Sequence, residues 1–230
     1  MLPQRLLTIF QRNLFLDKHE EESLDKDYLI KLAKLIKQIN PPWWSEHLSF
    51  TKAGGIDIGH LSPLPYTKEA IEVVGRNIEQ VRRYIDTPLI LENITYMVNI
   101  PGGEMTEAQF LGEIVDRADC GLLLDITNLY INSTNHSYSI QDFLAQLPLE
   151  RVVQLHFVGG YWHDGVLIDS HSNSTPVEVW QLMKQIVARQ CQSTINIKGI
   201  VLERDENIPP FAELAAELRQ AEAIFNTVLI

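Results

Sequence analysis

Cysteine is nearly absent from this chain: there are two among 230 residues, Cys120 and Cys191. Two cysteines make neither a disulfide framework nor the thiolate cage of a structural zinc site, and they suit a reducing cytoplasm. Long apolar runs are missing as well. No stretch reaches about 18 apolar residues, so no membrane span is expected. Met1 to Leu16 is apolar but broken by Gln4, Arg5, Gln11, Arg12 and Asn13, and it lacks the compact centre and cleavage site of a signal peptide. Positive charge is in short supply, with 19 Lys and Arg against 30 Asp and Glu and a net charge of −11. That balance argues against a nucleic-acid backbone as the main partner. Neither a G-x-G-x-x-G fingerprint nor a Walker lysine occurs, so nucleotide-phosphate binding has no support. With 45% hydrophobic and 21% charged residues the composition is that of an ordinary globular protein. No linker and no two-half repeat divides it, so one domain over residues 1–230 is expected, with 1–22 as a divergent leading segment.

What the chain does contain is a recurring pattern of short apolar runs that end in a polar side chain. Gly121 to Leu124 ends at Asp125, with Asn128 three residues on. Pro88 to Leu91 ends in Glu92 and Asn93, Arg151 to Leu155 in His156, Gly199 to Leu202 in Glu203, and Trp43 to Leu48 carries Glu46 and His47. Such runs read as buried parallel strands, and in parallel sheets chemistry gathers at the carboxyl ends of the strands. Helical periodicity fills the intervals. Ser23 is the expected cap of a helix reaching Ile39, and Thr67 that of a helix through Asp86. Thr106-Glu-Ala-Gln109 resembles a capping box opening a helix to Ala118, and Ser139 caps a helix through Leu147. Pro176 to Cys191 and Phe211 to Ala223 are the last two helices. Loops are expected over Lys52 to Pro65, over the Asn- and Ser-rich stretch holding His136, and over the segment with His163, Asp164, Asp169 and His171. Leu6 to Leu16 fits a strand or a helix equally. Alternating strands and helices give an α/β fold, and polar residues at most strand ends favour a TIM-type (β/α) barrel over an open sheet with one crevice.

His47, Glu92, Asp125, Asn128, His156, Asp169, His171 and Glu203 form a set rich in hard oxygen ligands and imidazoles. That mixture suits iron, manganese or zinc. Carboxylates converging at a barrel mouth repel one another unless cations lie between them or some are protonated. The blander reading of any single one is a helix cap or a salt-bridge partner, and an isolated histidine such as His19 or His136 reads as surface. His60 and His163 read as groups on the substrate side, and Trp43 and Trp44 as packing.

Several motifs in one order carry a resemblance: Ser45-Glu-His-Leu-Ser49, Leu64-Pro-Tyr-Thr67, Leu91-Glu-Asn93, Gly121 to Asn128, Leu155-His156, Leu167-Ile-Asp-Ser-His171 and Glu203-x-Asp-x-Asn-Ile-Pro209. From Ser23 to Ala221 the chain resembles the former domain-of-unknown-function family number 692, multinuclear iron enzymes that include the methanobactin biosynthesis oxidase. The resemblance implies a barrel like that of xylose isomerase. It also implies two or three irons, dioxygen as co-substrate, and a ribosomally made peptide whose cysteines are modified. A small partner protein binding the peptide leader is implied too. Glu92, with Asp125 or Glu203, would bridge irons and act as the catalytic carboxylates. Asn128, His156, Asp169 and His171 would complete two iron shells, and His47 would bind a third iron. The family's other histidine for that third iron has no counterpart, since Phe10 stands in its place, so two irons are expected rather than three. With at most one strand before the Ser45-Glu-His47 strand, the barrel is expected to be incomplete or open at its N-terminal side. A homodimer or complex would then cover it, and activity alone would be weak. Two rivals stand beside this reading: a divalent-metal sugar isomerase or phosphoesterase of the related barrel group, and a degenerate barrel kept as a binding subunit.

Overall fold

The computed structural model describes residues 7–8, 24–53, 56–190 and 197–226. Backbone contacts divide the chain into two compact units, 1–122 and 123–230. The first unit begins with β1 (Leu7–Thr8), α1 (Lys26–Ile39) and β2 (Trp44–His47), followed by β3 (Phe50–Ala53) and β4 (Ile56–Ser62). It continues through α2 (Lys68–Val81), β5 (Leu89–Glu92), α3 (Glu107–Ala118) and the start of β6 (Gly121–Asp125). β1, β2 and β5 are parallel neighbours, with Leu7 opposite Trp44 and His47 opposite Glu92. Each helix buries one stripe: Leu29, Leu32 and Ile36 on α1; Ile71, Val74, Ile78 and Val81 on α2; Phe110, Leu111, Ile114 and Val115 on α3. Fully burying such a side chain stabilises the fold by roughly 1.5–3 kcal/mol. Where α2 meets α3, a Cβ on Gly75 would lie 2.9 Å from Arg117 Cγ. Its absence lets the arginine lie across α2 and reach Glu72 and Glu79 at 3.2 and 2.8 Å.

The second unit holds the end of β6, α4 (Ile126–His136), α5 (Ile140–Gln146), a short 3₁₀ turn over Leu149–Arg151 and β7 (Val152–Phe157). After these come β8 (Gly159–His163), β9 (Val166–Asn173), α6 (Val177–Gln190), β10 (Gly199–Leu202) and α7 (Phe211–Asn226). β10 runs parallel to β7, with Val201 opposite His156 and Leu202 opposite Phe157. Phe157 is fully buried and tilts against Trp180 of α6 at a centroid distance of 5.2 Å. β8 and β9 form an antiparallel hairpin.

The alternation of strand and helix agrees with the sequence, as do the Thr67 and Ser139 caps and the complete capping box of Thr106 and Gln109. Several expectations need correction. Asp25 caps α1, its carboxylate accepting from the Tyr28 N–H; Ser23 lies outside the described residues. The strand expected over Trp43 to Phe50 breaks after His47, where the Ser49 N–H turns back to the His47 carbonyl at 3.0 Å. The Thr67 helix ends at Val81, because Arg83 and Tyr84 bond three residues back and tighten its last turn. Lys52 to Pro65 is no loop, since β3 and β4 pair there. The polar stretch after Asp125 is helix α4, with Asn128 and Asn132 buried. Its amides replace what an apolar stripe would supply: Asn135 donates to the Leu167 carbonyl at 2.9 Å and accepts from the Leu167 N–H at 3.0 Å, docking β9 on the helix. The segment from His163 to His171 is likewise a hairpin, turned by Asp164 (φ 48°) and Gly165 (φ 81°), the positive-φ pair of a tight two-residue connection. Of Leu6 to Leu16 only Leu7–Thr8 is described, as strand; Phe10, His19 and Cys191 lie outside the described residues.

Candidate metal centre

In the second unit three strand ends deliver ligand groups to one place. Asp125 closes β6 and also caps α4: its Oδ1 accepts the Asn128 N–H at 2.8 Å, so the positive end of the helix steadies the buried anion. His156 lies near the end of β7 and is wholly buried. Glu203 follows β10, its N–H continuing the ladder to the Phe157 carbonyl at 3.2 Å. Ligand atoms of Asp125, His156 and Glu203 lie within 4.8 Å of one another. His156 Nδ1 is 3.0 Å from Glu203 Oε1.

His171, with Asp169 beside it, approaches the same carboxylates from β9. His171 has φ 49°, and its carbonyl accepts from the N–H groups of Asp205 and Glu206 at 3.0 and 3.3 Å. Two amides from the segment after β10 thus hold this unfavourable backbone. Its Nε2 lies 3.0 Å from Asp169 Oδ1, and its Nδ1 lies 3.4 Å from Asp205 and 3.9 Å from Glu203. Burial alone would lower the pKa of this imidazole. The hydrogen bond and charge of Asp169, with Asp125 and Glu203 behind it, outweigh that and push it up to about 9. In the metal-free protein His171 is therefore a cation at neutral pH, standing where opposing carboxylates need one.

The first unit has its own group. His47 Nε2 stands 3.6 Å from Glu92 Oε2, with the two residues paired across β2 and β5. Glu46 is buried beside them, and its carboxyl is pushed up to about 8 by burial first and by Glu92 second. Its Oε1 has no hydrogen-bond partner among the described residues.

Within each unit, then, the sequence-derived set does come together: His47 with Glu92, and Asp125, Asn128, His156, Asp169 and His171 with Glu203. His60 on β4 is exposed, and its Nδ1 lies 2.9 Å from the Leu61 carbonyl. His163 stands at the exposed tip of the β8–β9 hairpin beside Asp164. His136 is half-buried in the last turn of α4, and Trp43 and Trp44 are buried packing, with Trp44 Nε1 donating to the Thr87 carbonyl at 3.1 Å. Sequence reasoning passed over Gln154, whose amide nitrogen lies 2.6 Å from His156 Nε2. The signal was present, because residues two apart on a strand share a face. It also passed over Arg204, which donates to the Ser172 carbonyl at 2.8 Å and lies 3.5 Å from Glu217, tying the Glu203 segment to β9.

Asp125, His156 and Glu203 offer hard oxygens and a borderline nitrogen, the donor set of a divalent transition metal. An ion at about 2.1 Å from each ligand spans about 4.2 Å between opposite donors. Small side-chain adjustments would close the observed separations around it, so the residues fit such an ion.

Comparison with known proteins agrees with this architecture. The chain is 36% identical over 205 residues to a UPF0276 protein of Rhizorhabdus wittichii, covering 89% of this chain and 72% of that one. It is 38% identical over 197 residues to a UPF0276 protein of Caulobacter vibrioides, covering 86% and 69% respectively. In fold it is similar to a xylose isomerase domain protein of Alicyclobacillus acidocaldarius, at a TM-score of 0.56 and 14% identity, over 94% of this chain and 76% of that one. A xylose isomerase domain-containing protein of Salmonella typhimurium also superposes at a TM-score of 0.56, with 11% identity over 86% and 68% of the two chains. The fold is accordingly of the xylose-isomerase-like TIM-barrel type. Residues 13–226 match the family described as RiPP precursor modification enzyme MbnB/TglH/ChrH, and the chain belongs to that family.

Proposed function

We propose that this protein is an iron-dependent oxidoreductase that modifies cysteine residues of a ribosomally made precursor peptide. The convergence of buried Asp125 and His156 with half-buried Glu203 within 4.8 Å carries the reading. Two carboxylates facing an imidazole with little water around them are costly unless a cation joins them. In this reading Asp125, His156 and Glu203 would hold iron, Asn128, Asp169 and His171 would complete its surroundings, and Glu92 would serve as a carboxylate ligand in its own unit. His47, beside Glu92, would hold any third iron. Bound there with a position left open, ferrous iron supplies dioxygen activation and a seat for the substrate thiolate. The chain's own residues orient and shield that chemistry. The Asn128 backbone N–H fixes the Asp125 carboxylate, and the proton that His171 would shed on becoming a ligand would pass to solvent. The proposal includes a small leader-binding partner protein and association as a homodimer or complex.

Protein purified anaerobically after growth with iron is expected to carry two irons per chain and, with its precursor peptide, to consume dioxygen. Elemental analysis finding no transition metal, with a melting temperature indifferent to chelators, would overturn the metal reading. Metal bound tightly but peptide untouched in air would overturn the oxidative part alone. Turnover without dioxygen, on magnesium or manganese, would instead favour isomerase or phosphoesterase chemistry.

A further inference from the structure

Glu203 is anchored by its own strand on one side only. Its N–H continues the β10 ladder to the Phe157 carbonyl at 3.2 Å, and beyond it neither helix nor strand begins until Phe211. Residues 205–208 of that stretch are exposed. A strand end bordering exposed backbone opens easily, and a carboxylate standing on it wanders with it. Arg204, by contrast, is turned inward, its side chain 5% exposed. Its Nη1 donates to the Ser172 carbonyl at 2.8 Å, one residue past the His171 carbonyl that accepts from the Asp205 and Glu206 N–H groups. Its Nη2 faces Glu217 Oε1 of α7 as an ion pair at 3.5 Å. The other Glu217 oxygen accepts from the N–H and the hydroxyl of Thr175 at 3.1 and 2.5 Å.

A guanidinium buried this far is costly, and here the cost is only partly offset: among the described residues its Nε and Nη2 make no hydrogen bond. An apolar side chain of similar length would hold α7 to β9 with less penalty. It could not clamp the backbone from two directions, as a planar fork does with a carbonyl on one arm and a carboxylate on the other. We propose that Arg204 is a positioning residue for the Glu203 carboxylate, setting where that ligand stands toward a metal ion through the backbone it clamps. The proposal rests on the metal-binding reading of Asp125, His156 and Glu203 above. Glu203 and Arg204 leave the extended chain on opposite sides, the one toward His156 Nδ1 at 3.0 Å, the other toward Ser172 and Glu217. Holding Arg204 therefore fixes the Glu203 backbone on its second side, the Phe157 bond having fixed it on the first. Only the side-chain torsions of Glu203 are then left to settle, and the carboxylate meets the ion preorganised.

Carbon-13 NMR of the glutamate carboxyl carbons, with zinc as a diamagnetic probe and Glu203→Gln to assign the signal, reads the ligand itself. In wild type, saturating zinc is expected to move both the Glu203 carboxyl carbon and the His156 ring signals. In Arg204→Met the His156 signals should still move and the Glu203 carbon should not. Zinc affinity, measured well below the melting temperature, should fall by about tenfold to a hundredfold. A mere tether of α7 would lower the melting temperature and leave affinity and both signals as in wild type, which would overturn the proposal. Neither signal moving in folded Arg204→Met would also overturn it, because Arg204 would then hold the whole centre rather than Glu203. If Arg204→Met does not fold, Arg204→Lys takes its place with the same expected signature, since it keeps the charge but gives up the fork. Both of these overturning results leave the metal reading standing. Zinc moving His156 but not Glu203 in wild type would overturn the proposal and strike Glu203 from the ligands. Failure of wild type to bind zinc or iron would remove proposal and metal reading together.

Discussion

Glu46 and His171 carry pH dependences of the same sign for different reasons. Glu46 has a folded pKa of about 8 against an ordinary 4.5, so between those values the native chain holds more protons than the unfolded one. Stability is then complete at the acid end and falls as pH rises, by a few kcal/mol in order of magnitude. His171 has a folded pKa of about 9 against 6.5, and its stabilising contribution is present below 6.5 and lost on the way to 9. Metal-free protein should therefore melt at progressively lower temperature from pH 5 to pH 9. Glu46→Gln should remove the part of that slope due to the buried carboxyl, raising the melting temperature at pH 9 more than at pH 5. Equal shifts at both pH values would count against the raised pKa. Because a ligand must shed its proton, apparent zinc affinity should also climb between pH 6.5 and 9, and His171→Ala should flatten that climb. Glu203→Gln and Asp125→Asn are expected to lose bound metal yet keep the fold. With one like charge fewer, the metal-free variants should melt no lower than wild type above pH 9, where His171 no longer offsets the carboxylates. Either variant unfolding while wild type holds no metal would make these residues structural.

At the scale of elements, some of the fold was legible and some was not. β5, β6, β7 and β10 announce themselves as apolar runs closed by polar residues, because burial on both faces leaves little freedom of composition. The caps at Thr67, Thr106 and Ser139 are local chemistry and read directly. α4 was hidden because Asn128, Asn132 and Ser133 are weak helix formers that favour caps and turns in isolation. Tertiary partners override that preference here: Asn135 pairs with both backbone groups of Leu167, and Thr127 Oγ1 both donates to and accepts from the backbone of Val158. The two hairpins did leave signals, Gly54-Gly55 and Asp164-Gly165 between strand-forming residues, but the further glycines and prolines around the first, and the polar residues and histidines around the second, read as loop. The ligands at strand ends were legible for the reason the strands were. Gln154 was not, since a buried amide two residues before a histidine means nothing until its distance is known. Asn135→Leu should destabilise the chain by about 1–3 kcal/mol, having left the Leu167 backbone groups unpaired in a half-buried place. Urea unfolding would measure it, and a change under half a kcal/mol would show the docking of β9 to be unimportant.

For the whole molecule, the family relationship and the barrel-type fold are shown by sequence and structural likeness, while the chemistry rests on the site. Among the described residues no helix is long and apolar enough to cross a membrane. If metal binds the native state alone, saturating zinc or iron at a hundred times its dissociation constant should stabilise that state by about 2.7 kcal/mol. A clear rise in melting temperature, reversed by a chelator, is the expected observation. Light scattering tests association: a monodisperse monomer carrying three irons would contradict both the expected complex and the two-iron count. One residue gives such measurements a local gauge. Asp125 ends a strand and begins a helix, and the Asn128 amide proton rests on one of its carboxylate oxygens. Whatever draws on that carboxylate electronically also weakens or strengthens the grip on that proton. The exchange rate of a single amide in heavy water would then record occupancy of the centre in intact protein, with no substrate, no colour and no turnover.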